Sequence, residues 1–340
     1  MNKILELVKD NIIVFDSFCK AQSVLANHDI IKVSISGGSD SDVVLDLIEK
    51  VKGDKEVHYV WFDTGLEYQA TKDHLDYLES KYAINIERER AVKPIPVSCK
   101  EYGQPFLSKY VSEQIGRLQS YNFKWEDKPY EKLVKEYPKC VSAIKWWCNQ
   151  YTVLNGFTNI SWFDIGRNKY LKEFLIKYPP NFPISNKCCK YAKKKVAEKY
   201  DKEMNVSLVI IGVRKAEGGI RSIGKTCYDN KKSLSKYRPV FWYSNSDKEY
   251  YEEKFNIIHS KCYTKYGLTR TGCVGCPYNQ KITEELAIIE TFEPKLYKAC
   301  TTVFKKSYEY TRKYREFVQH MKEQEKQIEG QMTIYDYLKE

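Results

Sequence analysis

The sequence predicts an α/β protein built on a doubly wound parallel sheet, and three observations predict it. Short β-branched runs alternate with helical periodicities from Ile31 onward. Two of those runs end in glycine turns, where ligands of such sheets collect. The longest strongly apolar stretch, Val206 to Val213, is far shorter than the ~20 residues that cross a bilayer.

Taken in order, a helical pattern from Lys3 to Ala26 precedes a first strand at Ile31–Ile35. The loop SISGGSDS then opens the helical run DVVLDLIEKV. A second strand is expected at Val57–Phe62, a helix from there to Tyr82, and a third strand at Ile84–Arg88. From Lys93 to Ser185 the periodicity gives way to aromatic, proline-punctuated segments, read as a mostly helical insertion. Sheet character resumes at Val206–Val213 and again at Arg238–Trp242, followed by helices over Asp247–Asn256, Thr283–Glu290 and Pro294–Lys326. The expected organisation is an α/β domain over residues 1–245, with 93–185 inserted in it, and a helical region over 246–340. At 340 residues such a chain can bury a sizeable core.

Net charge is +11, from 56 Lys and Arg against 45 Asp and Glu, which favours a polyanionic partner. The Lys-, Tyr-, Ile- and Asn-rich composition accounts for much of that excess. Charges interrupt the apolar residues of MNKILELVKDNIIVFDSF, so a signal peptide, a membrane partner and secretion are not expected, and the cytoplasm is. Eleven cysteines in a reducing compartment point to metal or catalysis rather than disulfides.

The chemistry begins at Ser36-Gly37-Gly38-Ser39-Asp40-Ser41. Paired glycines let consecutive N–H groups converge on an anion, and the helix that follows turns its free N–H groups and positive dipole end toward it. The segment resembles the SGGxDS PP-loop of the ATP pyrophosphatase superfamily, whose members split ATP into AMP and pyrophosphate. The resemblance implies an adenine nucleotide alpha hydrolase-like fold, ATP as ligand, and Asp40 as a Mg²⁺ ligand. Many members carry lysine where this chain has Ser39, so another cation must replace it.

Asp63-Thr64-Gly65-Leu66-Glu67 is similar to the DTG segment of the phosphoadenosine phosphosulfate (PAPS) reductase family within that superfamily. The run from Gly212 through Arg214, Glu217 and Arg221 is similar to the family's GxRxxExxxR signature, with both arginines suited to fork onto phosphate oxygens and Glu217 to orient one of them. Gly219–Thr226, GIRSIGKT, also satisfies the Walker A expression, but no strand leads directly into it and the polar CYDNKKSLSKYRPV that follows lacks helical periodicity. The Walker reading is therefore rejected.

Cys273-Val274-Gly275-Cys276-Pro277 is a CxxC in a Gly and Pro turn, a geometry in which two thiolates grip one ion. With Cys188-Cys189 it resembles the 4Fe-4S ligand pattern of adenylylsulfate reductases, and with Cys262 it resembles that of the DNA phosphorothioation pyrophosphatases. Four of Cys188, Cys189, Cys262, Cys273 and Cys276 are expected to bind a 4Fe-4S cluster, with zinc as the alternative. Cys140 and Cys148 read as packing residues, and the five histidines form no close pair in sequence.

A sulfonucleotide reductase of this family carries a nucleophilic cysteine near its C-terminus, whereas this chain has none after Cys300. The preserved loop favours ATP activation. Three functions are carried forward: an ATP pyrophosphatase that activates a nucleic acid acceptor for sulfur transfer from a donor protein such as a cysteine desulfurase; a sulfonucleotide reductase; and a non-enzymatic iron-sulfur nucleic-acid-binding protein.

Overall fold

The computed structural model describes residues 1–156, 159–218, 222–231 and 233–337, with side chains described to residue 327. The chain divides into two compact units, one of Met1–Ile95, Cys189–Val274 and Glu284–Tyr297, the other of Pro96–Cys188, Gly275–Thr283 and Lys298–Glu340.

The first unit is built on a six-stranded sheet. Its strands are β1 (Ile31–Ile35), β2 (Val57–Asp63), β3 (Ile86–Arg90), β4 (Leu208–Ile211), β5 (Tyr228–Asp229) and β6 (Ser235–Tyr237). Spatial order is β3-β2-β1-β4-β6-β5, parallel throughout except for the β5–β6 pair. Val33 of β1 stands opposite Tyr59 of β2 and Ile210 of β4, all buried. Burial of Val33 and of Ile210 is worth about 1.5–3 kcal/mol each. Lys32 is the exception within β1: it is 1% exposed, paired with Asp201, and lies 5.5 Å from the ring centres of both Phe62 and Tyr200.

Local chemistry adjusts several expected boundaries. The first helix is two, Asn2–Leu7 and Ile12–Ala26, because Asn11 accepts from the N–H groups of Ile13 and Val14 at 3.1 and 3.0 Å and caps the second. The strand expected at Arg238–Trp242 is instead Ser235–Tyr237, and residues 238–243 turn, with Phe241 N–H on Arg238 O and Tyr243 N–H on Val240 O. Pro239 has no N–H to extend a ladder. Ser244 caps a helix over Asn245–Phe255, and Pro294–Val303 and Lys305–Tyr337 are separate helices.

The second unit is helical among its described residues. Its core is aromatic: Phe106, Trp146, Trp147 and Phe174 are fully buried, and Tyr310 and Tyr314 of the helix Lys305–Tyr337 pack with them. Trp147 meets Phe123 and Trp125 edge-on at 5.3 and 5.9 Å and donates its indole N–H to Glu126 O at 3.1 Å. The unit holds 24 of the lysines and arginines against 15 of the acidic residues, so +9 of the net charge of +11 belongs to it.

Candidate functional site

The turn after β1 is shaped by its glycines. Gly37 has φ +65°, and a Cβ there would stand 2.6 Å from Thr71 Cγ2. Gly38 caps the helix Ser39–Val51 without a side-chain bond, leaving the cap position to groups from elsewhere. Ser36 N–H donates to Ser41 Oγ at 3.2 Å and Gly38 N–H to Ser36 Oγ at 3.2 Å. Ser39 N–H donates to the hydroxyl of Tyr263 at 3.1 Å, and that hydroxyl lies 3.2 Å from Thr271 Oγ1.

Asp40 and Arg214 meet at the ends of adjacent parallel strands. Arg214 Nε donates to Asp40 Oδ1 at 2.8 Å, and its Nη1 reaches Asn245 Oδ1 at 3.0 Å and Ser244 O at 3.3 Å. Gly212 makes this approach feasible, since a Cβ there would lie 3.0 Å from Asp40 C and O. Burial raises the Asp40 carboxyl above its ordinary range, against the pull of Arg214. Glu217, expected to orient an arginine, accepts from Arg214 main-chain N–H through Oε2 at 3.1 Å. Arg221 lies outside the described residues. Thr226 of the rejected Walker match leads into β5, a strand rather than a helix.

The DTG turn follows β2. Asp63 Oδ1 accepts from Gly65 N–H at 2.8 Å, and Gly65 has φ +79° with Pro94 packed where a side chain would begin. Thr64 Oγ1 donates to Glu67 Oε1 at 2.5 Å, and both residues are buried. Glu67, expected at the nucleotide, has Lys193 and Asp63 as electrostatic neighbours and acts in turn on Cys273. Burial pushes both Glu67 and Cys273 up, and Lys193 opposes that for each. Val274 N–H donates to Leu66 O at 3.0 Å, tying the cysteine loop to this turn.

Cys273 senses the charge of Cys189 within the first unit. Cys262 is fully buried, with its sulfur 3.7 Å from Thr71 Oγ1 and its thiol held up by burial. Cys188 and Cys276 belong to the second unit. Among the described residues, no three His, Cys, Asp or Glu side chains gather into a metal-holding group. Cys140 is buried and Cys148 packs on the aromatic core, as packing residues should.

Folding also joins histidines that sequence keeps apart. His74 Nε2 and His259 Nδ1 lie 3.0 and 2.8 Å from Asp42 Oδ2, on the first turn of the loop helix. His259 Nε2 is 2.7 Å from Glu252 Oε1. With both ring nitrogens facing carboxylates, His259 is an imidazolium; burial alone would lower its pKa, but the two bonds carry it to about 9. Sequence reasoning passed over Tyr263, Thr271, Lys193 and the two histidines. The available signal was proximity, since Tyr263 adjoins Cys262 and Thr271 precedes Cys273 by two residues.

Residues 30–140 match the sequence profile of the phosphoadenosine phosphosulfate reductase domain. The match covers about a third of the chain. The matched segment holds β1, the glycine loop, β2 and the DTG turn, and ends before Cys188, Cys189, Arg214, Cys262, Cys273 and Cys276. An uncharacterized protein of Methanocaldococcus jannaschii is 33% identical over 106 residues, a match spanning 31% of this chain and 20% of that protein. The chain also resembles three solved structures, each at 12% identity. A phosphoadenylyl-sulfate reductase from Candida auris, in complex with phosphate, aligns over 80% of this chain and 95% of its own, with TM-score 0.40. The U34-tRNA thiolase NcsA from Methanococcus maripaludis, with its 4Fe-4S cluster, aligns over 91% and 80%, with TM-score 0.38. An NH3-dependent NAD synthetase from Campylobacter jejuni, in complex with nitrate, aligns over 88% and 94%, with TM-score 0.36. No described helix is long and apolar enough to cross a membrane.

Proposed function

We propose that this protein is an ATP pyrophosphatase that activates a nucleic acid acceptor for sulfur transfer in the cytoplasm. One observation carries the reading: a glycine loop with φ +65° at Gly37 opens a helix whose first turn presents Asp40 bonded to Arg214. An acceptor oxygen attacks the α-phosphorus of ATP, the bond to the β-phosphate oxygen breaks, and pyrophosphate leaves. The outer sulfur of a donor persulfide, delivered by a protein such as a cysteine desulfurase, then bonds to the activated atom as AMP leaves. A second thiol of the donor attacks the S–S bond, releasing the thiolated acceptor and leaving a disulfide on the donor.

The loop N–H groups and the helix dipole bear the charge of the leaving pyrophosphate. Arg214 contributes its guanidinium and holds Asp40 Oδ1, leaving Oδ2 as the oxygen that would hold Mg²⁺. That ion, when bound, supplies further neutralisation of phosphate charge. Arg214 also stands for the cation absent at Ser39. The charge of Cys189 raises the Cys273 thiol, as Glu67 does, against Lys193. The two cysteines would be members of a 4Fe-4S or zinc site.

The test is pyrophosphate release from ATP by anaerobically prepared protein, alone and with RNA or DNA added. Asp40→Ala should abolish release, and wild-type protein that releases none refutes the reading. The name of the matched domain favours a second reading, sulfonucleotide reduction. Sulfite formed from adenylylsulfate with a thiol reductant supports it over the first. Salt-dependent nucleic acid binding indifferent to ATP would support a non-enzymatic role, and anaerobic iron and sulfide analysis decides between cluster and zinc.

A further inference from the structure

Three hydroxyls accept from the Ser36, Gly38 and Ser39 N–H groups of the phosphate loop. Two of them, Ser41 Oγ on Ser36 N–H and Ser36 Oγ on Gly38 N–H, belong to the loop and swing away by rotating one bond. The third belongs to Tyr263, which reaches Ser39 N–H from 224 residues along the chain on a rigid ring. Thr271 Oγ1 holds that hydroxyl from its other side at 3.2 Å. The site is crowded: a Cβ on Gly38 would lie 3.1 Å from Ser36 Oγ and Thr271 Oγ1 and 3.3 Å from Tyr263 Oη.

The same strand of chain is tied to buried chemistry. Ser260 caps the short helix Lys261–Thr264, which carries both Tyr263 and the fully buried Cys262. His259, just before it, is pinned to Asp42 of the loop helix. Thr71 forms a second bridge, with its methyl group against Gly37 and its hydroxyl 3.7 Å from Cys262 Sγ.

We propose that Tyr263 is a displaceable cap on the phosphate loop, and that a phosphate oxygen exchanges with its hydroxyl on Ser39 N–H, loosening the segment that holds Cys262. The inference rests on the nucleotide reading of the loop. It makes phosphate occupancy and the order of the Ser260–Thr271 segment two faces of one equilibrium, each shifting the other by the same factor.

The experiment is calorimetric titration of magnesium pyrophosphate into wild-type protein and Tyr263→Phe, with Thr271→Val as the second variant. Tyr263→Phe removes the competing acceptor and should bind about 2- to 10-fold tighter, the range a single exchanged hydrogen bond gives. Thr271→Val, which only frees the hydroxyl, should gain less. Hydrogen exchange read by mass spectrometry should show pyrophosphate slowing amides of the loop peptide while speeding those of residues 261–268 in wild type. Equal or weaker binding by both variants overturns the cap and leaves the nucleotide reading standing. Slower exchange in both peptides does the same. Absence of pyrophosphate and ATP binding in wild type and variants alike overturns the nucleotide reading itself.

Discussion

The two units fill their interiors with different chemistry. The sheet-based unit packs mostly aliphatic side chains around its strands, with rings such as Phe18, Trp61 and Tyr251 among them, and also buries Lys32, Asp42, Asp46 and His74. Asp46 alone is met by Lys50, Tyr82 and Tyr251. The helical unit closes on tryptophan, phenylalanine and tyrosine, with Tyr310 and Tyr314 hydroxyls donating to main-chain carbonyls at 2.6 and 2.8 Å. Flat sheet faces accept branched aliphatics, whereas helices without a sheet leave irregular gaps that large rings fill. Buried charge is costly unless paired, so its concentration in one unit marks where the chain keeps its chemistry.

The comparison breaks most visibly at Trp147. Trp147→Ala should cost about 3–5 kcal/mol, and hydrogen exchange should show amides of residues 106–182 losing protection while β1 and β2 keep theirs. Equal loss in the strands would mean that the two cores do not melt separately.

The next effect is pH dependence confined to the sheet-based unit. His259, raised from 6.5 to about 9, gives stability that is complete below pH 6.5 and lost as pH rises through 9. Its upper bound is roughly 3 kcal/mol. Urea midpoints between pH 6 and 9.5 should fall along that course, and His259→Gln should lower the pH 6 value and flatten the slope. A slope unchanged by the substitution would assign the dependence elsewhere.

Gly37→Ala tests the loop. A side chain at φ +65° against Thr71 should cost about 1–3 kcal/mol and abolish measurable pyrophosphate binding by calorimetry. Unchanged binding would take the turn out of the ligand site. The smallest effect is expected at the sheet centre, where Ile210→Val should cost about 0.5–1.5 kcal/mol by urea denaturation. A larger loss would make that core as unforgiving as the aromatic one.

What the sequence disclosed followed the range of the interactions concerned. The strand at Ile31–Ile35, the glycine loop and the DTG turn are written in consecutive residues, and the fold honours them. The Arg214–Asp40 pair joins two legible motifs, although each read alone gave its partner no name. Tyr263 was invisible because a tyrosine carries no periodic signal and its target lies on the first strand–helix turn. His74 and His259 stayed apart for the same reason, since only folding brings both to Asp42. The β6 boundary was missed where an apolar run continued past Pro239.

The two margins of the sheet have a bearing on how the protein behaves when crowded. At one margin β3 reads IERER, with Arg88 turned onto Asp76 and Glu79; at the other, β5 is two residues long and runs against its neighbour. A strand arriving from another molecule would meet charge at the first and run out of partners at the second. Such margins refuse recruitment into cross-molecular ladders, so any precipitation on concentration or heating should begin elsewhere than with this sheet adding strands.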